Sequence, residues 1–208
     1  GTVLPTTNDI ATLNAVLSTG EIIRGESSIT EAGGEIDHVY ITPSRVKPNE
    51  DVLRAIEQAD YIVMGPGSLY TSIIPNLVIS QVSEKIRESK AKKIYVCNVM
   101  TQHGETDNYT VSEHITAINK HVGENIFDLV IANSREFDDS ILSKYHKEKQ
   151  EPVKIDQEKI EALGIKLIKN NDVGIIDNNT IRHNAEKVSE LIYDYIIDDK
   201  PTMIYNKR

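Results

Sequence analysis

One eight-residue segment carries the groups that a phosphate ester needs. Gly65, Pro66, Gly67, Ser68, Leu69, Tyr70, Thr71 and Ser72 follow directly on the apolar run Tyr61 to Met64, and a helix is predicted from near Pro75. Two glycines let the main chain approach an anion closely, and Ser68, Thr71 and Ser72 offer hydroxyl donors. The first turn of the helix adds unpaired N–H groups and the positive end of its dipole. In an open α/β sheet, ligands bind at such a position, outside the carboxyl end of a strand. The segment lacks the Gly-Lys-Ser/Thr ending of a P-loop, and Tyr70 stands where a dinucleotide fingerprint wants its third glycine. Nor is Ser68 flanked by glycines as in a nucleophile elbow. An ordinary strand-to-helix turn with polar capping residues fits the spacing equally well.

A second polar loop follows the next apolar run, Ile94 to Asn98. Asn98, Thr101 and Gln102 could hydrogen-bond a base, a ribose or a sugar, with Gly104 among them, and Thr106 or Asp107 could cap the following helix or hold a ligand hydroxyl. Doubly wound geometry predicts that the two loops stand side by side. His103, Glu105, Asp107 and His114 are all metal-ligand types, but their spacing matches no known site and Asp107 reads more simply as a cap. Neither a dedicated metal site nor an intrinsic cofactor is therefore expected, and a magnesium ion would arrive only on the ligand. His38, His121, His146 and His183 have no evident partners and are predicted to be surface residues.

The elements that must position these loops alternate short apolar runs with amphipathic stretches, the pattern of βα units and a mostly parallel sheet. Strands are predicted at Tyr61 to Met64, Ile94 to Asn98, Phe127 to Ala132 and Ile165 to Ile168. Helices are expected over Val78 to Ile86, over Val111 to Val122, and over a last stretch carrying Val188, Leu191, Ile192, Tyr195 and Ile196. A short helix near Asn49 should bury Val52, Leu53 and Ile56. Toward the N-terminus, Thr12 to Leu17 and Glu21 to Arg24 read as a β-hairpin, with His38 to Ile41 a third strand. Glu31 to Glu35 reads as a flexible turn and Lys144 to Glu151 as a solvated connection. The predicted fold is a single Rossmann-like, three-layer α/β domain over residues 1–208 with a small N-terminal hairpin or meander.

Composition sets limits. The chain has 208 residues, 39% of them hydrophobic, which is enough for a real core. Its 32 acidic against 23 basic side chains give a net charge of −9, which argues against a nucleic-acid or anionic-membrane surface. Main-chain N–H groups at a helix start can still bind a phosphorylated ligand whatever the global charge. The lone Cys97 has no intrachain partner, and no apolar stretch reaches membrane-spanning length, so a reducing, cytoplasmic setting is expected. A homo-oligomer is the expected assembly.

The run Gly65-Pro-Gly-Ser-Leu-Tyr-Thr-Ser-Ile-Ile-Pro-Asn76-Leu, then Lys90-Ala-Lys-Lys-Ile-Tyr-Val-Cys-Asn98 and Met100-Thr-Gln-His-Gly-Glu-Thr-Asp107, resembles the CofD/YvcK family in its gluconeogenesis-factor branch. Val3-Leu-Pro-Thr-Thr and Arg24-Gly-Glu-Ser27 resemble it too. The resemblance implies a Rossmann-like cytoplasmic protein that binds nucleotide sugars such as UDP-N-acetylglucosamine and supports gluconeogenic growth and cell shape. For other members it implies a 2-phospho-L-lactate transferase, which moves a phosphate-linked group from a nucleoside diphosphate donor. It gives the phosphate role to Gly65, Gly67, Ser68, Thr71 and Ser72 and a ligand-facing role to Asn98, Thr101, Gln102 and Asp107. Thr7 and Asp9 would reach the same cleft. The family's glycine-rich opening strand, of the form Gly-Gly-Gly-Thr-Gly, has no counterpart here, and His103 stands where the family has proline. A purely structural scaffold for protein partners is the third reading.

Overall fold

The computed structural model describes residues 1–199. In chain order they form β1 (Thr12–Leu17), β2 (Ile22–Arg24), α1 (Glu26–Ala32), β3 (Ile36–Thr42), α2 (Glu50–Gln58) and β4 (Tyr61–Met64). A π-helical turn (Leu69–Ile73) runs into α3 (Ile74–Leu77) and is followed by α4 (Ser80–Glu88), β5 (Lys92–Val96), α5 (Val111–Val122) and β6 (Leu129–Asn133). Then come α6 (Asp139–Lys147), α7 (Gln157–Ala162), β7 (Lys166–Asn170), β8 (Gly174–Asp177), β9 (Thr180–His183) and α8 (Ala185–Asp199).

An uninterrupted apolar strand needs cover on both faces, and β5 and β6 receive it. Side chains alternate across a strand, so Ile94, Val96, Leu129 and Ile131 pack with Val188 and Tyr195 of α8 on one face. On the other face Tyr95, Cys97, Val130 and Ala132 join Ile115 and Ile118 of α5. Strands β4, β5, β6 and β7 are parallel and neighbours in that order, with Val63 opposite Ile94 and Tyr95 opposite Val130. This is the three-layer, Rossmann-like arrangement that the alternating pattern predicts. Among the described residues β4 is an edge strand, with Val63 43% exposed, and an apolar groove of 340 Å³ lies beside it between α2 and α4.

The N-terminal strands form the expected antiparallel meander, in the order β2-β1-β3. Two segments depart from the sequence reading. The turn predicted at Glu31 to Glu35 is partly helical, because α1 extends to Ala32 before Gly33 ends it at φ 65°. Its one fully buried residue, Ile29, is too little periodicity to read. Part of the predicted solvated connection Lys144 to Glu151 is α6, which buries Ile141 and Tyr145. The helix near Asn49 does form, with the Asn49 side chain accepting from Asp51 N at 2.9 Å, but it buries no residue fully.

The start of α5 lies at Thr110, beyond the Thr106 or Asp107 cap that the sequence suggested. Glu113 accepts from Thr110 N at 2.7 Å, the back-bond of a capping box. Asp156 accepts from Ser112 N at 3.0 Å and from the Thr110 hydroxyl at 2.9 Å, pinning the loop before α7 to the start of α5.

Candidate functional site

The loop after β4 turns sharply at Gly65, whose φ of 86° suits glycine. A Cβ there would stand 2.6 Å from the Val96 carbonyl oxygen on neighbouring β5. Ser72 N and Ile73 N both donate to Ser68 O, at 2.9 and 3.0 Å, closing the turn that follows. Glu105, only 3% exposed, reaches in from the second loop. It accepts from Tyr70 N at 3.1 Å, from the Thr71 hydroxyl at 2.9 Å and from the Thr30 hydroxyl at 3.4 Å. The Thr71 hydroxyl and one helix-start amide thus already have a protein acceptor.

Other amides of the turn remain open. Those of Gly67 and Ser68 have no acceptor among the described residues. Pro66, Gly67 and Ser68 line a cleft of 470 Å³ together with Asn98, Thr101 and Gln102, so the two loops do meet. The Asn98 Oδ1 is buried without a hydrogen-bond partner. Thr101 contributes to the wall, but its polar groups are engaged: its N donates to Glu151 O at 2.7 Å and its hydroxyl accepts from Glu151 N at 2.9 Å.

The other predicted residues are elsewhere. Thr106 accepts from Gln102 N at 2.9 Å, and Asp107 accepts from Gly104 N and pairs with His103 Nδ1, both at 2.8 Å. Short polar side chains in a loop bond the nearest main chain. Gly104, at φ 85°, presses on α1, where a Cβ would meet Thr30 O at 2.9 Å. Gly104, Thr106 and Asp107 therefore build a turn that buttresses the cleft without lining it. Ser72 lines the groove beside β4, as does Thr6, whose hydroxyl bonds the Asn76 side chain. Thr7 and Asp9 pin the N-terminal segment to Lys47: the Thr7 hydroxyl donates to Lys47 O at 2.6 Å, and Asp9 accepts from Lys47 N at 2.7 Å. Neither lines the cleft.

The far wall comes from residues outside the two loops. It is the hairpin β8–β9, with Thr180 to His183, and Tyr145 and Gln150 from and beyond α6. Strand order is monotonic across the described parallel sheet, so the cleft is not made by a reversal of order but by this hairpin against the carboxyl ends of the strands. Asn133 at the end of β6 accepts from Gly174 N at 3.0 Å, and the Tyr145 hydroxyl accepts from Ile181 N at 2.6 Å. Asn178 and Asn179, with φ of 45° and 60°, make its two-residue turn. Paired asparagines between apolar residues were the available signal.

Two histidines predicted to be surface residues are half-buried and hydrogen-bonded to the main chain. Val39 N donates to His121 Nε2 at 3.0 Å, and His121 Nδ1 bonds Ala117 O at 2.7 Å; His183 Nε2 bonds Cys97 O at 3.0 Å. Burial pushes His121, His114 and His183 below the ordinary 6.5. A depressed folded-state pKa means that the unfolded chain takes up the proton first. Their contribution to stability is therefore present above pH 6.5 and is lost as pH falls below it. Urea unfolding should show stability falling on acidification by up to about 1.4 kcal/mol per pH unit for each such histidine, and His121→Gln should flatten the slope. A slope unchanged by that substitution would show that His121 is not one of the responsible groups.

An open parallel sheet covered by helices on both faces, with a polar cleft at the carboxyl ends of β4 and β5, defines a Rossmann-like α/β protein. The chain belongs to the family described as 2-phospho-L-lactate transferase CofD, which matches residues 1–173. It is 46% identical over 195 residues to a gluconeogenesis factor of Halalkalibacterium halodurans, covering 93% of this chain and 60% of that protein. It is 41% identical to the gluconeogenesis factor of Bacillus subtilis, covering 94% of this chain and 62% of that one. The fold matches a crystal structure of a Bacillus halodurans protein with a TM-score of 0.89 at 46% identity, over 93% of this chain and 62% of the other. The chain thus spans about 60% of the length of these relatives.

Proposed function

We propose that this chain is the ligand-binding part of a regulatory protein of the gluconeogenesis-factor kind, and that it takes up a nucleotide sugar such as UDP-N-acetylglucosamine. The observation that carries the reading is the pair of open amides at Gly67 and Ser68, beyond the end of a parallel strand and on the wall of a cleft. A diphosphate oxygen supplies the acceptor these amides lack. Asn98 and Gln102 offer groups to read a base or a sugar, and Arg182 brings a cationic residue to the lining. The cleft volume of 470 Å³ falls among those of small-molecule sites, about 300–1,000 Å³. The biological output is control of gluconeogenic growth and cell shape in the cytoplasm, exerted by ligand occupancy rather than turnover.

Isothermal titration of the full chain with UDP-N-acetylglucosamine tests the reading. A Cβ at Gly67 would make only ordinary contacts, 3.4 Å from Ser72 Cβ and 3.6 Å from Ile73, so a side chain there can be folded around. Saturable binding is expected, with Gly67→Val weakening it roughly tenfold or more, about 1.4 kcal/mol, at a near-native melting temperature. Undiminished affinity in that variant would reject the role of the loop.

The family description favours a second reading, a transferase that moves a phosphate-linked group from a nucleoside diphosphate donor to a hydroxyl acceptor. Release of product from a phospholactyl donor and a deazaflavin acceptor would select it over binding alone.

A further inference from the structure

The ring of His183 stands at the end of β9, on the same strand face as buried Ile181, and His183 lines the same cleft as Gly67 and Ser68. Its Nε2 lies 3.0 Å from the Cys97 carbonyl oxygen at the end of β5. A carbonyl oxygen can only accept, so Nε2 carries the proton and Nδ1 is left with its lone pair. Among the described residues Nδ1 has no hydrogen-bond partner, and it is not one of the fully buried unpaired atoms, so solvent reaches it.

We propose that His183 Nδ1 is the acceptor for a hydroxyl group of the ligand whose phosphate rests on the Gly67 and Ser68 amides, which makes His183 a specificity-determining residue of the cleft. The inference rests on the nucleotide-sugar reading and deepens it. The amides and Arg182 attract an anion but cannot tell one phosphate ester from another. A fixed acceptor elsewhere in the same cleft demands a donor at a set distance from the phosphate, as a ribose or sugar hydroxyl provides, and gives nothing to inorganic phosphate. Its tautomer is set by the main chain of β5, so the acceptor is in place before the ligand arrives. Burial keeps the ring neutral, and the charged or titratable groups around it are Arg182 of the same strand, Tyr145 of α6 and the Cys97 thiol, the last pushed up to about 12 by burial.

His183→Gln is the discriminating variant, because a glutamine amide can still donate to Cys97 O while the Nδ1 acceptor and its titration are lost. Titration with UDP-N-acetylglucosamine, whose diphosphate diester keeps its charge, is run on wild type and variant from about pH 7.5 down to about pH 5. The variant should bind roughly five- to tenfold more weakly at the upper pH, the size of one lost hydrogen bond, with its melting temperature retained. Wild-type affinity should fall on acidification while the variant's stays flat. Equal affinities, or the same acid profile in both proteins, would overturn the role of His183 and leave the nucleotide-sugar reading standing. No binding by the wild type would reject both.

Discussion

Glu105→Ala is expected to destabilise the protein by about 3 kcal/mol or more in urea unfolding, because it strands three donors at once. The Glu105 side chain accepts from Tyr70 N, from the Thr71 hydroxyl and from the Thr30 hydroxyl while only 3% exposed. Each buried donor left unpaired costs about 1–3 kcal/mol, although the two hydroxyls can rotate toward other acceptors. The truncation also leaves a void among Tyr70, α1 and the second loop. Glu105→Gln should fall in between, since its amide offers one accepting oxygen and turns an NH₂ group toward donors. The same contact ties the turn after Gly65 to the second loop, so the alanine variant should also bind nucleotide sugar more weakly. A loss of stability under 1 kcal/mol would show that the three bonds are not made in solution.

Gly65→Ala is expected to cost about 3 kcal/mol for two reasons that add at one position. The φ of 86° puts an L-residue in the left-handed region, and the new Cβ would approach Val96 O to 2.6 Å. That oxygen belongs to the neighbouring strand and cannot move aside without disturbing the sheet. Calorimetric melting is the check. A variant that melts like the wild type would mean that the strand–turn junction is looser than described. At Gly67, by contrast, a Cβ meets only ordinary contacts, so the fold itself does not require that glycine.

The parallel sheet was legible because β5 and β6 are apolar on both faces, and a run such as Ile94 to Cys97 has few alternatives to a buried strand. The meeting of the two loops was legible for the same reason, since adjacent parallel strands end side by side. What each loop residue does there was not. Thr71 and Ser72 are adjacent hydroxyl residues, yet one is bonded to a carboxyl group 34 residues away and the other faces the groove beside β4. Asp107 and Thr106 looked like ligand or capping groups, but they close a local turn, a choice that depends on the close approach of Gly104 to α1. The far wall was hidden because short β8 and β9 give little alternation, and because the placement of His183 follows from the tertiary bonds at Asn133 and Tyr145.

The most direct test of the account is an amide NMR titration of the ¹⁵N-labelled chain with UDP-N-acetylglucosamine, with uridine as the neutral comparison. The Gly67 and Ser68 amide protons are expected to move downfield and saturate with the sugar nucleotide while uridine leaves them in place. Binding that shifts other signals but not these two, or shifts them equally with uridine, would contradict it.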